Sequence, residues 1–312
     1  MQTIKRPAGL CTGTVGYETL VQQACNKVNG FSLLCKELER SVSVTGKSLS
    51  TFTNYSRHLA HLALHYGQLP TELDNEQVLD YLHLVKSTGS PSATFFKFTV
   101  YGLRYACRLR GLPYQQFSLP SITHTDKLPV VLNATEVKQL LKACDLLKHK
   151  LLLGLCYGCG LRCAEVRLLK VADVDTERQM VHVRQGKGGK DRCVPMGAML
   201  ARGIRSYIAA DKPRVYLFEG RDGAAYSQRG AQWAVSEAVK KAGIAKEVTL
   251  HTLRHTYATH LLEQGLNILT IKDLLGHAHI DTTMVYLHLA RPSAVAAFSP
   301  LDTLYNQPPS RS

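Results

Sequence analysis

Met180-Val181-His182-Val183-Arg184-Gln185-Gly186-Lys187-Gly188-Gly189-Lys190-Asp191-Arg192-Cys193-Val194-Pro195 is the stretch in which the period of the chain changes. Met180, His182 and Arg184 alternate with Val181, Val183 and Gln185. Successive side chains of a strand point to opposite faces, so this alternation predicts a half-buried strand. The glycine-rich run at 186–190 turns the chain, and Cys193-Val194-Pro195 leads out of the hairpin. On both sides the apolar spacing is helical. The expected fold is therefore mainly α with a small antiparallel β-sheet, the sheet belonging to an α+β second domain and a helical domain preceding it.

Toward the N-terminus, Ser48-Leu49-Ser50-Thr51 opens a helical pattern that Gly67 and Pro70 close. A second helix fits residues 75–87. A third fits 92–110 and carries Arg104, Arg108 and Arg110 late in its course. Residues 17–42 could form one further helix, inside an N-terminal extension, 1–44, of no assigned role. The first domain is set at 45–118. A polar, proline-bearing linker at 119–130 separates it from a second domain at 131–291, and a proline-rich tail occupies 292–312. In the second domain Asn133 and Glu136 have capping-box spacing. Helices fit 135–144, 148–158 and 163–169, and again beyond Gly197.

The chain has 312 residues, with 38 Lys and Arg against 24 Asp and Glu, a formal charge of +14. Both domains share the excess: 12 basic against 7 acidic residues before Asp126, and 26 against 17 from there on. Such a balance suits a polyanionic ligand running across both. The longest apolar run, 151–161, has 11 residues, too few for a membrane span of about 20. The N-terminus lacks a signal-peptide pattern, and nine cysteines are an odd number. Together these predict reduced thiols in a cytoplasmic, nucleoid-associated protein with no membrane partner. Cys156 and Cys159 have metal or redox spacing but lie in the apolar run, so they read as buried structural residues, and no metal site is expected.

Four local signals carry chemistry. Gly160-Leu161-Arg162-Cys163-Ala164-Glu165 puts an arginine after a glycine turn, with a carboxylate one helical turn on to hold it. The hairpin tip offers Lys187 and Lys190, with Arg192 beyond. It is no P-loop, since no GK[ST] opens a helix there. In His251-Thr252-Leu253-Arg254-His255, residues 251, 254 and 255 share a helical face. Arginine within that face disfavours a divalent cation and suits a phosphate. Leu275-Gly276-His277 is followed nine residues later by Tyr286. Taken singly, these are also a surface arginine, a solvated turn, a polar helix face and a half-buried tyrosine. Taken together they make a phosphoryl-transfer kit without metal or other cofactor. Guanidinium and imidazole groups stabilise charge on a phosphodiester under attack, a tyrosine supplies the nucleophile and a lysine protonates the leaving oxygen.

With these five motifs in order (GLRxxE, GKGxK, HxLRH, LGH and the tyrosine), residues 45–290 resemble the tyrosine recombinases of the Xer and phage-integrase type. The resemblance implies that Arg162 and Arg254 clamp the scissile phosphate, with Glu165 supporting Arg162. It implies that Lys187 protonates the 5′-hydroxyl and that His277 binds phosphate. His251 would exchange a proton with Tyr286, the nucleophile of a 3′-phosphotyrosyl link, and His255 would be a structural neighbour. Lys190, Arg192, Arg104 and Arg108 become DNA-contact candidates, and 45–118 the DNA-binding domain. The implied partner is duplex DNA, held by a dimer per site and a homotetramer on paired sites that resolves through a Holliday junction. Accessory DNA-binding proteins are compatible with this. The extra N-terminal residues and the tail Ser299-Pro300-Leu301-Asp302-Thr303-Leu304 point to a mobile-element integrase rather than a resolver of chromosome dimers.

Three other readings share features of the sequence. A metal-dependent transposase needs clustered carboxylates, where this chain clusters Arg, His and Lys. A non-catalytic helix-turn-helix protein accounts for the charge but not for the terminal tyrosine. A type IB topoisomerase shares the chemistry and differs in relaxing DNA as a monomer.

Overall fold

A computed structural model describes residues 18–89, 91–114, 117, 128–184 and 191–290. The hairpin tip with Lys187 and Lys190, residues 119–127 of the expected linker and the tail beyond Ala290 lie outside the described residues. The chain divides into two compact units, Met1–Thr125 and Asp126–Ser312. The described part is helical apart from one three-stranded antiparallel sheet, as the pattern predicts. No helix among the described residues is long and apolar enough to cross a membrane.

The first unit is built from α1 (Leu20–Lys27), α2 (Phe31–Val44), α3 (Leu49–Tyr66), α4 (Asn75–Thr88) and α5 (Ala93–Leu109). The Ser48 hydroxyl accepts from the Thr51 amide and starts α3, and Gly67 ends it in the left-handed conformation, φ +69°. Where one helix was expected over 17–42 there are two. The chain reverses at Gly30, φ +77°, a backbone region that side chains with a Cβ rarely adopt. The reversal lets Phe31, Leu34 and Leu38 of α2 pack into one core with Leu59 and Leu62 of α3 and Val100 and Leu103 of α5.

The second unit contains α6 (Ala134–Lys142), α7 (Leu147–Gly158), α8 (Cys163–Leu168), α9 (Ala198–Asp211), α10 (Gln228–Ala242), α11 (Leu250–Glu263), α12 (Ile268–Leu275) and α13 (Asp281–Met284), which runs into a 3-10 turn, Val285–His288. Strands β1 (Val174–Asp175), β2 (Met180–Val183) and β3 (Arg192–Pro195) pair in that order, with Val181 opposite Val194. Val181, Val183 and Val194 turn inward, and Met180 and His182 outward. Asn133 and Glu136 form the reciprocal capping box at the start of α6. Helix α7 is apolar on most of its circumference, and Leu152, Leu153, Leu155 and Cys156 are fully buried in the core. Cys156 and Cys159 belong to that core, and burial pushes both thiols above their ordinary pKa.

Candidate active site

The site begins where α7 ends. Gly160 stands at φ +61°, and a Cβ there would come within 2.5 Å of the Tyr257 ring. Only glycine lets the chain pass between α7 and α11 at this point. Its carbonyl is thereby presented to Arg254, whose Nη1 donates to it at 2.6 Å. Two residues on, Arg162 caps α8. Its amide donates to Glu165 Oε2 at 2.8 Å, and its Nη1 to Glu165 Oε1 at 2.7 Å.

Glu165 holds more than its expected partner. Arg192 donates to Oε1 from Nη1 at 2.9 Å and to Oε2 from Nη2 at 2.7 Å, a fork-on-fork pair. Arg254 Nη1 lies 3.8 Å from Oε2. Three guanidinium groups therefore share one carboxylate. They also share the end of α12. The last carbonyls of a helix lack intrahelical donors and carry the negative end of the dipole. Here Leu274 accepts from Arg192, Leu275 from Arg254 and Gly276 from Arg162. Gly276, φ +63°, closes α12 in the left-handed conformation, and a Cβ there would lie 3.0 Å from Arg192 Cδ. The end of α12, Leu274 to Gly276, is thus the socket into which the three arginines plug, and the LGH motif supplies two of its three carbonyls.

Burial alone would push the Glu165 carboxyl up. The hydrogen bonds from Arg192 and Arg162 outweigh it and hold the group down at about 2. A folded pKa below the ordinary 4.5 means stability that is fully present above pH 4.5 and is lost as pH falls toward 2. The shift corresponds to about 3 kcal/mol. Glu165→Gln is therefore expected to unfold more easily than the parent at neutral pH, with the gap closing in acid. Chemical denaturation of both proteins at neutral pH and near pH 3 checks this. A gap of constant size across that range would contradict it.

Arg254 is 1% exposed. Burial, then repulsion from Arg162, pulls its pKa down to about 10. Its Nε is buried without a hydrogen-bond partner among the described residues. Three arginines against one glutamate leave net positive charge and an unused buried donor, the electrostatic shape of an anion site.

Tyr286 comes from the 3-10 turn and is 2% exposed. Its hydroxyl lies 3.1 Å from His255 Nδ1. Burial raises its pKa against the downward pull of Arg254 and Arg162. The His277 ring lies nearly parallel to the Tyr286 ring, 15° off with centroids 6.5 Å apart, and its Nδ1 is 2.9 Å from Thr283 Oγ1. His251 stands one turn before His255, with ring centroids 4.4 Å apart. It is exposed, yet its neighbours shield it enough to lower its pKa, with Arg254 and Arg162 adding to the effect.

The structure thus gathers Arg162, Glu165, His251, Arg254, His277 and Tyr286, residues spread over more than a hundred positions of sequence. Two expectations need correction. Arg192, read as a DNA-contact candidate, has its side chain only 10% exposed and its guanidinium spent on Glu165 and Leu274, so it is an internal strut. The partner of the Tyr286 hydroxyl is His255, not His251. The i, i+4 spacing in α11 shows that the two histidines share a face. Which of them meets the tyrosine depends on the turn at 285–288, which the helical pattern does not contain. In the first unit, Arg104 donates to the Phe117 carbonyl, and exposed Arg108 lies over the Tyr105 ring at 5.4 Å.

The profile of the phage integrase family matches residues 130–292, half of the chain and all of the site just described. XerA tyrosine recombinase of Pyrococcus horikoshii is 33% identical over 258 residues, 81% of this chain and 88% of its own length. The chain belongs to the phage integrase family of tyrosine recombinases. A protein of Sinorhizobium fredii assigned as integrase/recombinase y4qK is likewise 33% identical, over 87% of this chain and 89% of its own. Among solved structures, XerH recombinase bound to a palindromic difH substrate matches with a TM-score of 0.65 at 20% identity, covering 92% of each chain. At that identity it speaks for the recombinase fold alone.

Proposed function

We propose that this recombinase cuts and rejoins DNA strands at specific sites through a covalent 3′-phosphotyrosyl intermediate on Tyr286. The observation that carries the reading is a buried tyrosine, its hydroxyl against His255, placed close enough to Arg254 and Arg162 for their charge to pull its pKa down, beside a guanidinium cluster whose positive charge exceeds its carboxylate. Arg162 and Arg254 bind the non-bridging oxygens of the scissile phosphate and stabilise the charge that grows there during attack. The unused Nε of Arg254 is a donor held ready for that purpose. Glu165, Arg192 and the end of α12 fix both guanidinium groups before substrate arrives. Such preorganisation spares the reaction the cost of orienting them.

His251, beside Arg254, and His277, beside Tyr286, donate to phosphate oxygens. Lys187, carried over from the family pattern, protonates the departing 5′-oxygen. Guanidinium groups supply the charge neutralisation that paired metal ions supply in carboxylate-clustered nucleases. The bond energy stays in the phosphotyrosine, so rejoining needs neither metal nor ATP. In this reading the first unit is the DNA-binding domain, wider than the expected 45–118 because α1 and α2 share its core, with Arg108 among its phosphate contacts and Lys190 adding another from the hairpin. Residues 131–291 are the catalytic domain, and 292–312 a tail that docks on a neighbouring protomer. A dimer occupies each site, and a tetramer on paired sites exchanges strands through a Holliday junction. XerH is bound to its difH substrate and lambda integrase to a core site in their own structures, which supports duplex DNA as the partner here.

The test is a nicked duplex that traps the cleaved state, incubated with the protein and excess EDTA. A DNA-linked protein band carrying the 3′ end is expected with chelator present. Loss of the band on chelation, restored by a divalent cation, would overturn the proposal.

A further inference from the structure

We propose that His255 is the catalytic base for the nucleophile, taking the proton of Tyr286 once a scissile phosphate occupies the site. This rests on the assignment of Tyr286 as nucleophile and adds the group that activates it. His255 Nδ1 lies 3.1 Å from the Tyr286 oxygen, within reach for direct proton transfer. At 2% exposure the tyrosine has little bulk water to receive its proton. The other imidazoles nearby are placed differently. His277 runs nearly parallel to the phenol and sets its Nδ1 against Thr283. His251 meets the His255 ring edge-on, with centroids 4.4 Å apart.

The charged and titratable groups around His255 come from four elements. His251 and Arg254 lie on α11, Tyr286 on the 3-10 turn, His277 just beyond α12, and Arg162 with Glu165 at the start of α8. Without DNA, burial and then His251 and Arg254 hold the His255 pKa down at about 4. Burial holds Tyr286 above its ordinary value. The resting pair is thus a neutral imidazole beside a neutral phenol, and in the tautomer with its proton on Nε2 the imidazole accepts from the phenol at Nδ1. A phosphodiester between the arginines brings the opposite charge. Nearby negative charge favours protonated imidazole, so substrate raises the basicity of His255.

The step balances without redox change. The phenolic O–H bond breaks and an Nδ1–H bond forms. The phenolate oxygen bonds to phosphorus, and the bond from phosphorus to the 5′-oxygen breaks. That oxygen gains one proton from the general acid as His255 gains one from Tyr286, and rejoining reverses both transfers.

The experiment uses a nicked duplex with sulfur in place of the bridging 5′-oxygen, a leaving group that needs no protonation. Adduct formation is followed under single-turnover conditions between about pH 5 and pH 8, the range in which a substrate-raised imidazole titrates. The parent rate is expected to fall toward acid. His255→Asn is expected to bind DNA like the parent, to form adduct about a hundredfold more slowly, and to lose the acid limb. Added imidazole should partly restore His255→Ala. A His255→Asn protein as fast as the parent, with the same acid limb, overturns the proposal. A faster variant does so too, by showing that the contact restrains the tyrosine. Should the variants fail to bind DNA, the parent profile decides: a rate flat across this range rejects a base, and a sloping one sustains it. Tyr286→Phe serves as control. Adduct in that variant defeats the assignment of the nucleophile. Its absence, with full activity in His255→Asn, defeats only the role of His255.

Discussion

Tyr286→Phe is expected to abolish the covalent adduct while leaving DNA affinity near that of the parent. The substitution removes one oxygen from a side chain that is otherwise buried ring surface, so the packing around it persists. What disappears is the proposed nucleophile and its hydrogen bond with His255. Losing the bond, which is only partly buried, costs about 0.5–1.5 kcal/mol. Losing a covalent nucleophile costs about 10⁶-fold in rate in enzymes where this has been dissected. Binding and chemistry should therefore separate cleanly in a gel that resolves bound from covalently linked DNA. Parallel loss of both would mean that Tyr286 serves the fold rather than the reaction.

Arg254→Lys is the second large effect, and it strikes fold and chemistry together. The guanidinium spans from the Gly160 carbonyl to the Leu275 carbonyl, two acceptors on different elements. An ammonium keeps the charge but lacks the planar fork. At least one carbonyl is left buried and unpaired, at about 1–3 kcal/mol. At about 2–4 °C per kcal/mol for a unit of this size, the unfolding midpoint of the second unit should drop by several degrees. The adduct rate should drop about 10²- to 10³-fold, as when one preorganised donor to a developing oxyanion is lost. Single-turnover cleavage at saturating DNA, with thermal unfolding alongside, measures both. A lysine variant with parent-like rate would show that Arg254 props up the turn at Gly160 and does not serve the phosphate.

Much of this was readable from the chain because the signals are local. Ser48 and Gly67 bracket α3 through side-chain capping and left-handed backbone, both short-range effects. Val181, Val183 and Val194 mark the sheet because strand periodicity needs only neighbours. The arginines, histidines and tyrosine of the site announce themselves by type and order. Less was legible where partners are distant in sequence. Gly30 breaks a continuous helical pattern because α2 must fold back on the core that α3 and α5 complete. Arg192 looks like a basic hairpin residue until Glu165 and Leu274, 27 and 82 positions away, are seen to claim its guanidinium. His255 looks like a neighbour of the site until the turn at 285–288 carries Tyr286 up against it. The LGH motif is visible as three letters. Its physical meaning, part of a helix end whose carbonyls seat three arginines, exists only in the folded chain.

The most direct measurement of the central claim is to map the peptide that stays attached to DNA. The trapped complex would be digested with protease and nuclease and the adduct read by mass spectrometry. The expected product is a tyrosine phosphodiester on the peptide that contains Tyr286, joined to the 3′ end of the broken strand. Attachment at any other residue, or through a 5′ phosphate, would contradict the account.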